Sequence, residues 1–351
     1  MRLKDWFTVD GSYAIVDGQF GSTGKGLLAA FVERETCGHG NVPDTVATNA
    51  GPNSGHTFYD SLGNKHVLKQ LPCFSASQRV EGESPSKVIL TGGAVIDRGV
   101  LHREVSKYAI YPTVHPSASV ITDEARLADS SNVHNVASTG QGVGTAIQGK
   151  LSRTLKKHLV HSEPNDESDL MPLLRAQSIH DRLNNGSVLH EVAQGYSLGV
   201  NSGYWPFCTT RECTAGQALA DAGVAPQNLR SVAMAVRTYP IRVGSTANSS
   251  GPCYQDQTEV TWDALGVEPE TTTVTGRIRR VFTWSDIQFK HAVMANRPDI
   301  IFLNFANYLQ TSVDEFVVEH VLGPYVDVMG TPPKEIYVGH GPLTSQVEEW
   351  T

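Results

Sequence analysis

The segment Asp17-Gly-Gln-Phe-Gly-Ser-Thr-Gly-Lys-Gly26 constrains this chain more than any other. An apolar stretch, Ser12–Asp17, reads as a short buried strand. Leu27, Leu28, Phe31 and Val32 then fall at helical spacing between Gly24 and Glu35. A glycine-rich turn between strand and helix makes a concavity of backbone amides at a helix N-terminus, which suits phosphate, and Lys25 adds a point charge. The spacing is not that of a Walker A loop: position 19 is Gln, and Gly26 stands where Ser or Thr would bind magnesium.

The rest of the chain narrows the class. It has 351 residues, 40% apolar and 18% charged, a globular composition. No apolar run nears the roughly 18 residues of a membrane span, and the N-terminus does not read as a signal peptide. The net charge of −8, without a basic tract, argues against a nucleic-acid polymer as partner. Five cysteines without a CxxC pair fit a reduced, cytoplasmic setting with buried structural thiols, and the histidines show no metal-ligand spacing.

Strands are expected at Thr45–Thr48, Lys87–Leu90, Ser187–Val192, Val232–Arg237, Arg277–Phe282, Ile300–Asn304 and, last, Glu335–Val338. A hairpin is expected from His56–Asp60 to Lys65–Leu71. Helices are expected at Val100–Ala109, 151–160, 169–184, Ala215–Ala222 and Trp284–Asn296. Asn135–Gly149, rich in Gly, Ser and Thr, reads as a long functional loop. Strands alternating with helices argue for an α/β fold with a mainly parallel sheet covered on both faces. Linker-like composition appears only at Glu163–Asp169, so one domain over 1–351 is expected.

A second loop, Thr48-Asn-Ala-Gly-Pro-Asn-Ser-Gly-His-Thr57, permits close backbone approach to a ligand and offers His56 as an acid or cation. Five more segments follow in order: Ser138-Thr-Gly-Gln-Gly-Val-Gly144, Glu191-Val-Ala-Gln-Gly195, Tyr204–Ala215, Ile241-Arg-Val-Gly244 and Val274-Thr-Gly-Arg-Ile-Arg-Arg280. Together these seven segments resemble the adenylosuccinate synthetase family, whose members carry GDEGKG, NAGHT, TTGRGIG, EGAQG, TYPYVTSSNTTA, TRVG and TTGRRRR.

The resemblance implies a single large α/β domain related to the P-loop proteins and a two-step ligase reaction. A nucleoside triphosphate phosphorylates O6 of a 6-oxopurine nucleotide, and the amine of L-aspartate displaces that phosphate. It implies catalytic roles at positions 22, 25 and 56. Lys25 and the amides of Gly21, Ser22, Thr23, Gly24 and Gly26 would hold the transferred phosphate, and His56 would stabilise its charge. Arg279, Asn307, Gly341 and Pro342 would bind the triphosphate. Asn53, Thr139, Gln194, Thr209 and Val243 would line the purine monophosphate site, with Ser22 beside the base and Arg153 reaching the 5′-phosphate from the partner of a homodimer. Val274, Thr275 and Arg277 would face aspartate. Mg2+ is implied, with Gly55 carbonyl and position 22 as ligands.

Departures from the family pattern sharpen the substrate. The family's catalytic aspartate corresponds to Ser22, which is smaller, uncharged and unable to act as a base near neutral pH. The space it leaves beside N1 suits the 2-amino group of guanine, and Thr23 replaces the neighbouring Glu. Viral members of the family convert dGMP and aspartate to the succino precursor of 2-aminoadenine deoxynucleotide, so dGMP is the expected acceptor and the host cytoplasm the expected location. Asn307 replaces the aspartate that reads guanine in GTP. An amide both donates and accepts, which suits adenine and predicts ATP or dATP as donor. Gln141 and Val274 replace an arginine and a threonine near the aspartate site. Two alternatives stay open: an ordinary adenylosuccinate synthetase acting on IMP with GTP, and a catalytically inactive nucleotide-binding homologue.

Overall fold

The computed structural model describes residues 1–129, 137–153, 176–245, 249–272 and 276–351. Its centre is strand β1 (Gly11–Asp17), whose apolar run is buried on both faces, as an interior parallel strand requires. Tyr13 and Ile15 enter one core with Leu28, Phe31 and Phe302, while Ala14 and Val16 enter another with Val236, Phe289 and Leu303.

Around β1 stand β2 (Thr45–Thr48), β5 (Lys87–Leu90), β7 (Thr113–Val114), β9 (Ser187–Glu191), β10 (Leu229–Arg237), β14 (Ile300–Asn304), β15 (Glu335–Gly339) and β16 (Val347–Glu349). The hairpin β3–β4 (His56–Tyr59, Lys65–Leu68), the pair β6–β8 (Val95–Ile96, Ser119–Val120) and the small sheet β11–β13–β12 (Ile241–Arg242, Arg280–Phe282, Glu259–Val260) are separate. The main sheet runs β16-β15-β14-β10-β1-β9-β2-β5-β7, parallel throughout except for β16.

This order places a site. β1 lies between β10 and β9, where the connections diverge, and open α/β sheets bind ligands beyond the carboxyl ends of strands at such a point. The loops leaving β1, β2, β9, β10, β14 and β15 all begin at that edge.

The α/β expectation holds, and the strand cores fall as expected. Four differences have local causes. Val143–Ser152 is a helix, not part of a loop: Gly142 turns the chain at φ 79, and Val143, Ala146 and Gly149 form the buried stripe that small residues disguise. The strand expected from Arg277 begins only at Arg280. Residues 313–329 form a helical run with a π-turn at Val317–Leu322, hidden by Gly323-Pro324. β16 adds an edge strand after Glu335–Gly339. The expected helix at 169–184 is seen over Ala176–Asn184. Residues 154–160 of the other expected helix, and Glu163–Asp169, lie outside the described residues. All five cysteines are unpaired. Among the described residues no helix is long and apolar enough to cross a membrane.

Candidate active site

The loop after β1 is folded around an anion of its own. Asp17 is fully buried, and its carboxylate accepts from the amides of Gln19 (2.9 Å), Gly21 (3.3 Å) and Thr23 (3.4 Å). It also accepts from the Thr23 hydroxyl (2.6 Å) and the Lys25 ammonium (3.3 Å). Of the amides 21–26 expected to cradle phosphate, those of Gly21 and Thr23 turn inward to Asp17, and Thr23 is fully buried. Helix α1 (Lys25–Cys37) starts here, so its unpaired first-turn amides and the positive end of its dipole lie at the same loop as Lys25. Lys25 also donates to the Gln194 carbonyl.

Two glycines make this geometry possible. A Cβ at Gly24 (φ +91) would lie 1.9 Å from Asn304 Nδ2, and one at Gly26 would lie 2.3 Å from the Thr57 carbonyl oxygen. Ser22, without that licence, nevertheless sits at φ 56.

Two cavities meet above the loop. One, of about 580 Å³, is lined by Gly21, Gly24, Lys25, Gly26, His56, Asn307, Gly341 and Pro342, with Lys65 and Tyr308. The other, of about 490 Å³, is lined by Thr139, Thr209 and Val243, with Asp129, Trp205 and Arg242. Ser22, Asn53, Gly55, Gln194 and Arg279 line both. Each volume suits a nucleotide-sized ligand.

Four expected residues lie outside the two cavities or outside the described residues. Arg153 is exposed at the end of Val143–Ser152, outside both cavities. Arg277 lines a separate depression and donates to the carbonyls of Ser138 (3.1 Å) and Gly244 (3.3 Å). Val274 and Thr275 lie outside the described residues.

The electrostatics assign protonation states. Burial, reinforced by the Lys25 charge, pushes His56 down to about 3, which in the chain alone favours the neutral imidazole. Burial brings Arg279 down to about 10, still protonated, and it donates to the Ser22 hydroxyl at 2.8 Å and to the Thr271 carbonyl. Gln194, at φ 68, donates to Ser54.

Half-buried His56 and buried Cys73 and Glu191 bring nitrogen, sulfur and oxygen atoms within 4.8 Å of one another. Glu191 already has a task. Helix α2 (Cys73–Val80) follows Pro72, which offers no capping side chain, and the Glu191 carboxylate accepts the Cys73 (2.9 Å) and Phe74 (2.7 Å) amides. Burial pushes Glu191 up to about 7.

Sequence reasoning gave no role to Asp17, Glu191, Arg237, Glu270 or Phe305. The one signal for Arg237 was a charge ending an otherwise apolar strand.

Comparison with known proteins agrees with this geometry. The model of the family described as adenylosuccinate synthetase matches residues 168–318. The N6-succino-2-amino-2'-deoxyadenylate synthase of Vibrio phage phiVC8 is 35% identical over 95% of this chain and 96% of its own. That of cyanophage S-2L is 33% identical over 99% and 95%. A solved structure of the cyanophage S-2L succinoaminodeoxyadenylate synthetase, bound to dGMP and to dATP as energy donor, superposes with a TM-score of 0.82 at 33% identity, covering 97% of this chain and 95% of that one. Fully ligated adenylosuccinate synthetase from Plasmodium falciparum shares the fold at 18% identity and TM-score 0.73, covering 97% and 99%. This chain belongs to the adenylosuccinate synthetase family.

Proposed function

We propose that the chain joins L-aspartate to C6 of dGMP, using ATP or dATP, to give N6-succino-2-amino-2′-deoxyadenylate. One observation carries this reading: Ser22, where the family motif has aspartate, stands at the junction of two nucleotide-sized cavities with its hydroxyl accepting from Arg279. The relatives named for that activity, and the S-2L structure holding dGMP and dATP, support it.

The cavity with Lys25, His56 and Asn307 takes the donor, and the one with Thr139, Thr209 and Val243 takes dGMP. An amide-like oxygen leaves badly, so O6 first attacks the terminal phosphorus of the donor, expelling the nucleoside diphosphate while the N1 proton passes to a bound water or to the phosphoryl oxygens. The aspartate amine then adds at C6 and expels phosphate. Lys25 and the first-turn amides of α1 face the transferred phosphoryl group, and His56 donates a hydrogen bond to it. Arg279 places positive charge at the cavity junction, where it would stabilise the O6 oxyanion left when N1 is deprotonated.

Mg2+ prefers oxygen ligands and usually binds through nucleotide phosphates with few protein groups. The junction is compatible in donor chemistry with such an ion held mainly by nucleotide phosphates: Gly55, whose carbonyl would be its ligand, lines both cavities. Bound there, Mg2+ would neutralise phosphate charge. Ser22, which accepts from a guanidinium, is assigned to holding Arg279 and not to the metal.

Arg277, which holds the Ser138 carbonyl at the edge of the acceptor cavity, faces the aspartate carboxylate. The protein acts as a single domain and as a homodimer in which Arg153 completes the partner's acceptor site. The direct test is phosphate release with dGMP against IMP, with mass identification of the product. Equal or better turnover of IMP would sink the guanine assignment, and no release with any acceptor would leave an inactive homologue.

A further inference from the structure

Arg237, at the end of β10, lines neither cavity, yet its fully buried guanidinium touches both the loop and the donor wall. One Nη donates to the Ser22 carbonyl at 3.1 Å and to Glu270 at 3.2 Å, while the other donates to the second Glu270 oxygen. The same plane lies over the Phe305 ring, 3.8 Å from its centroid. Glu270 also accepts from Tyr308 at 3.2 Å. Below, the Gln19 side chain accepts from the Arg237 amide and donates to its carbonyl.

Two non-glycine residues beside this guanidinium hold left-handed backbone, Ser22 at φ 56 and Phe305 at φ 60. Each conformation costs on the order of 1 kcal/mol or more and persists only where its surroundings over-determine it. Arg237 contacts both, by a hydrogen bond to one and a stack on the other. Thr238 adds a hydrogen bond to the Phe305 carbonyl, and the Asn304 side chain accepts from its amide. Phe305, exposed Asn307 and Tyr308 together line the donor cavity, so a purine there meets an aromatic face and an amide edge.

We propose that Arg237 is a positioning residue that couples the donor's base to Ser22, so that a purine on Phe305 fixes the Ser22–Arg279 pair for phosphoryl transfer. The planar fork is required: it must present two edges to Glu270 and Ser22 while its face lies on the ring, which an ammonium cannot do. The inference rests on the assignment of the Lys25 cavity to ATP.

The test uses the full-length enzyme with Arg237→Lys, Arg237→Met, Phe305→Leu and the double variant Arg237→Lys/Phe305→Leu. ATP affinity is read by calorimetry, and kcat and KM for dGMP by phosphate release. Arg237→Lys is expected to weaken ATP binding and to lower kcat by about tenfold each, with KM for dGMP within about threefold of wild type. In the Phe305→Leu background the same substitution should change ATP affinity by less than about threefold, because the coupling runs through the ring.

Wild-type ATP affinity and kcat in Arg237→Lys would overturn the proposal, as would fully multiplicative effects in the double variant. If Arg237→Met does not fold, the lysine variant decides. A wild-type enzyme that turns over no dGMP would refute the acceptor assignment, while the ATP-affinity cycle would still decide the role of Arg237.

Discussion

The Arg279 guanidinium donates to the Ser22 hydroxyl over 2.8 Å, at the junction of the two cavities. With aspartate at position 22, that contact becomes an ion pair, and a carboxylate occupies the space beside the acceptor base. Ser22→Asp should therefore lower kcat/KM for dGMP by about a hundredfold, roughly 3 kcal/mol of transition-state stabilisation, and raise the IMP-to-dGMP ratio. Parallel phosphate-release assays check it. Undiminished turnover of dGMP would remove the steric argument.

Asp17 predicts a stability effect. Its carboxylate accepts from five donors, one of them the ammonium of nearly buried Lys25. Asp17→Asn keeps the shape but turns an NH2 toward backbone amides or the ammonium, which only donate, and it leaves Lys25 without its counter-charge. Removing one partner of a buried pair costs about 3–5 kcal/mol. Urea unfolding should show a loss of that order, with an unchanged m-value. A midpoint at the wild-type denaturant concentration would mean the loop does not depend on its internal anion.

Asn307 lines the donor cavity from an exposed position, so its replacement should alter donor choice without altering the fold. Asn307→Asp presents two acceptors, matched to the N1 and N2 hydrogens of guanine and mismatched to the acceptor N1 of adenine. The ratio of kcat/KM for ATP to that for GTP should fall by about tenfold or more, while stability stays within about 0.5 kcal/mol. Donor titrations at saturating dGMP and aspartate measure the ratio.

These predictions separate what periodicity can encode from what it cannot. The interior strands were legible because their apolar runs are continuous, and the loops at 17–26 and 49–57 were legible because glycine marks them. The inward turn of the Gly21 and Thr23 amides was not, since it depends on Asp17 being buried beneath them, and a sequence does not show which way an amide points. Glu191 caps α2 from more than a hundred residues away. Arg237 reaches Ser22 across 215 positions of chain, and Phe305 just past the end of a different strand. Val143–Ser152 was misread because small residues form its buried stripe, so composition spoke for a loop where packing made a helix.

Adjacent residues on β9 give a pH signature. Burial pushes His190 from its usual 6.5 down to about 4, so below pH 6.5 the unfolded chain takes up a proton that the fold refuses, and stability falls as pH drops. Burial pushes Glu191 from 4.5 up to about 7, so the fold holds a proton that the unfolded chain releases, and stability falls as pH rises through that range. Between pH 4.5 and 6.5 the two slopes oppose each other, each amounting to about 2 kcal/mol across the window. Glu191→Gln removes one slope, so unfolding free energy should climb toward pH 6.5 more steeply than in wild type by about that amount. His190→Gln should shift the slope the other way by a similar amount. Urea titrations at pH 4.5, 5.5 and 6.5 measure both, and pH profiles parallel to wild type in both variants would show that neither group titrates abnormally in the fold.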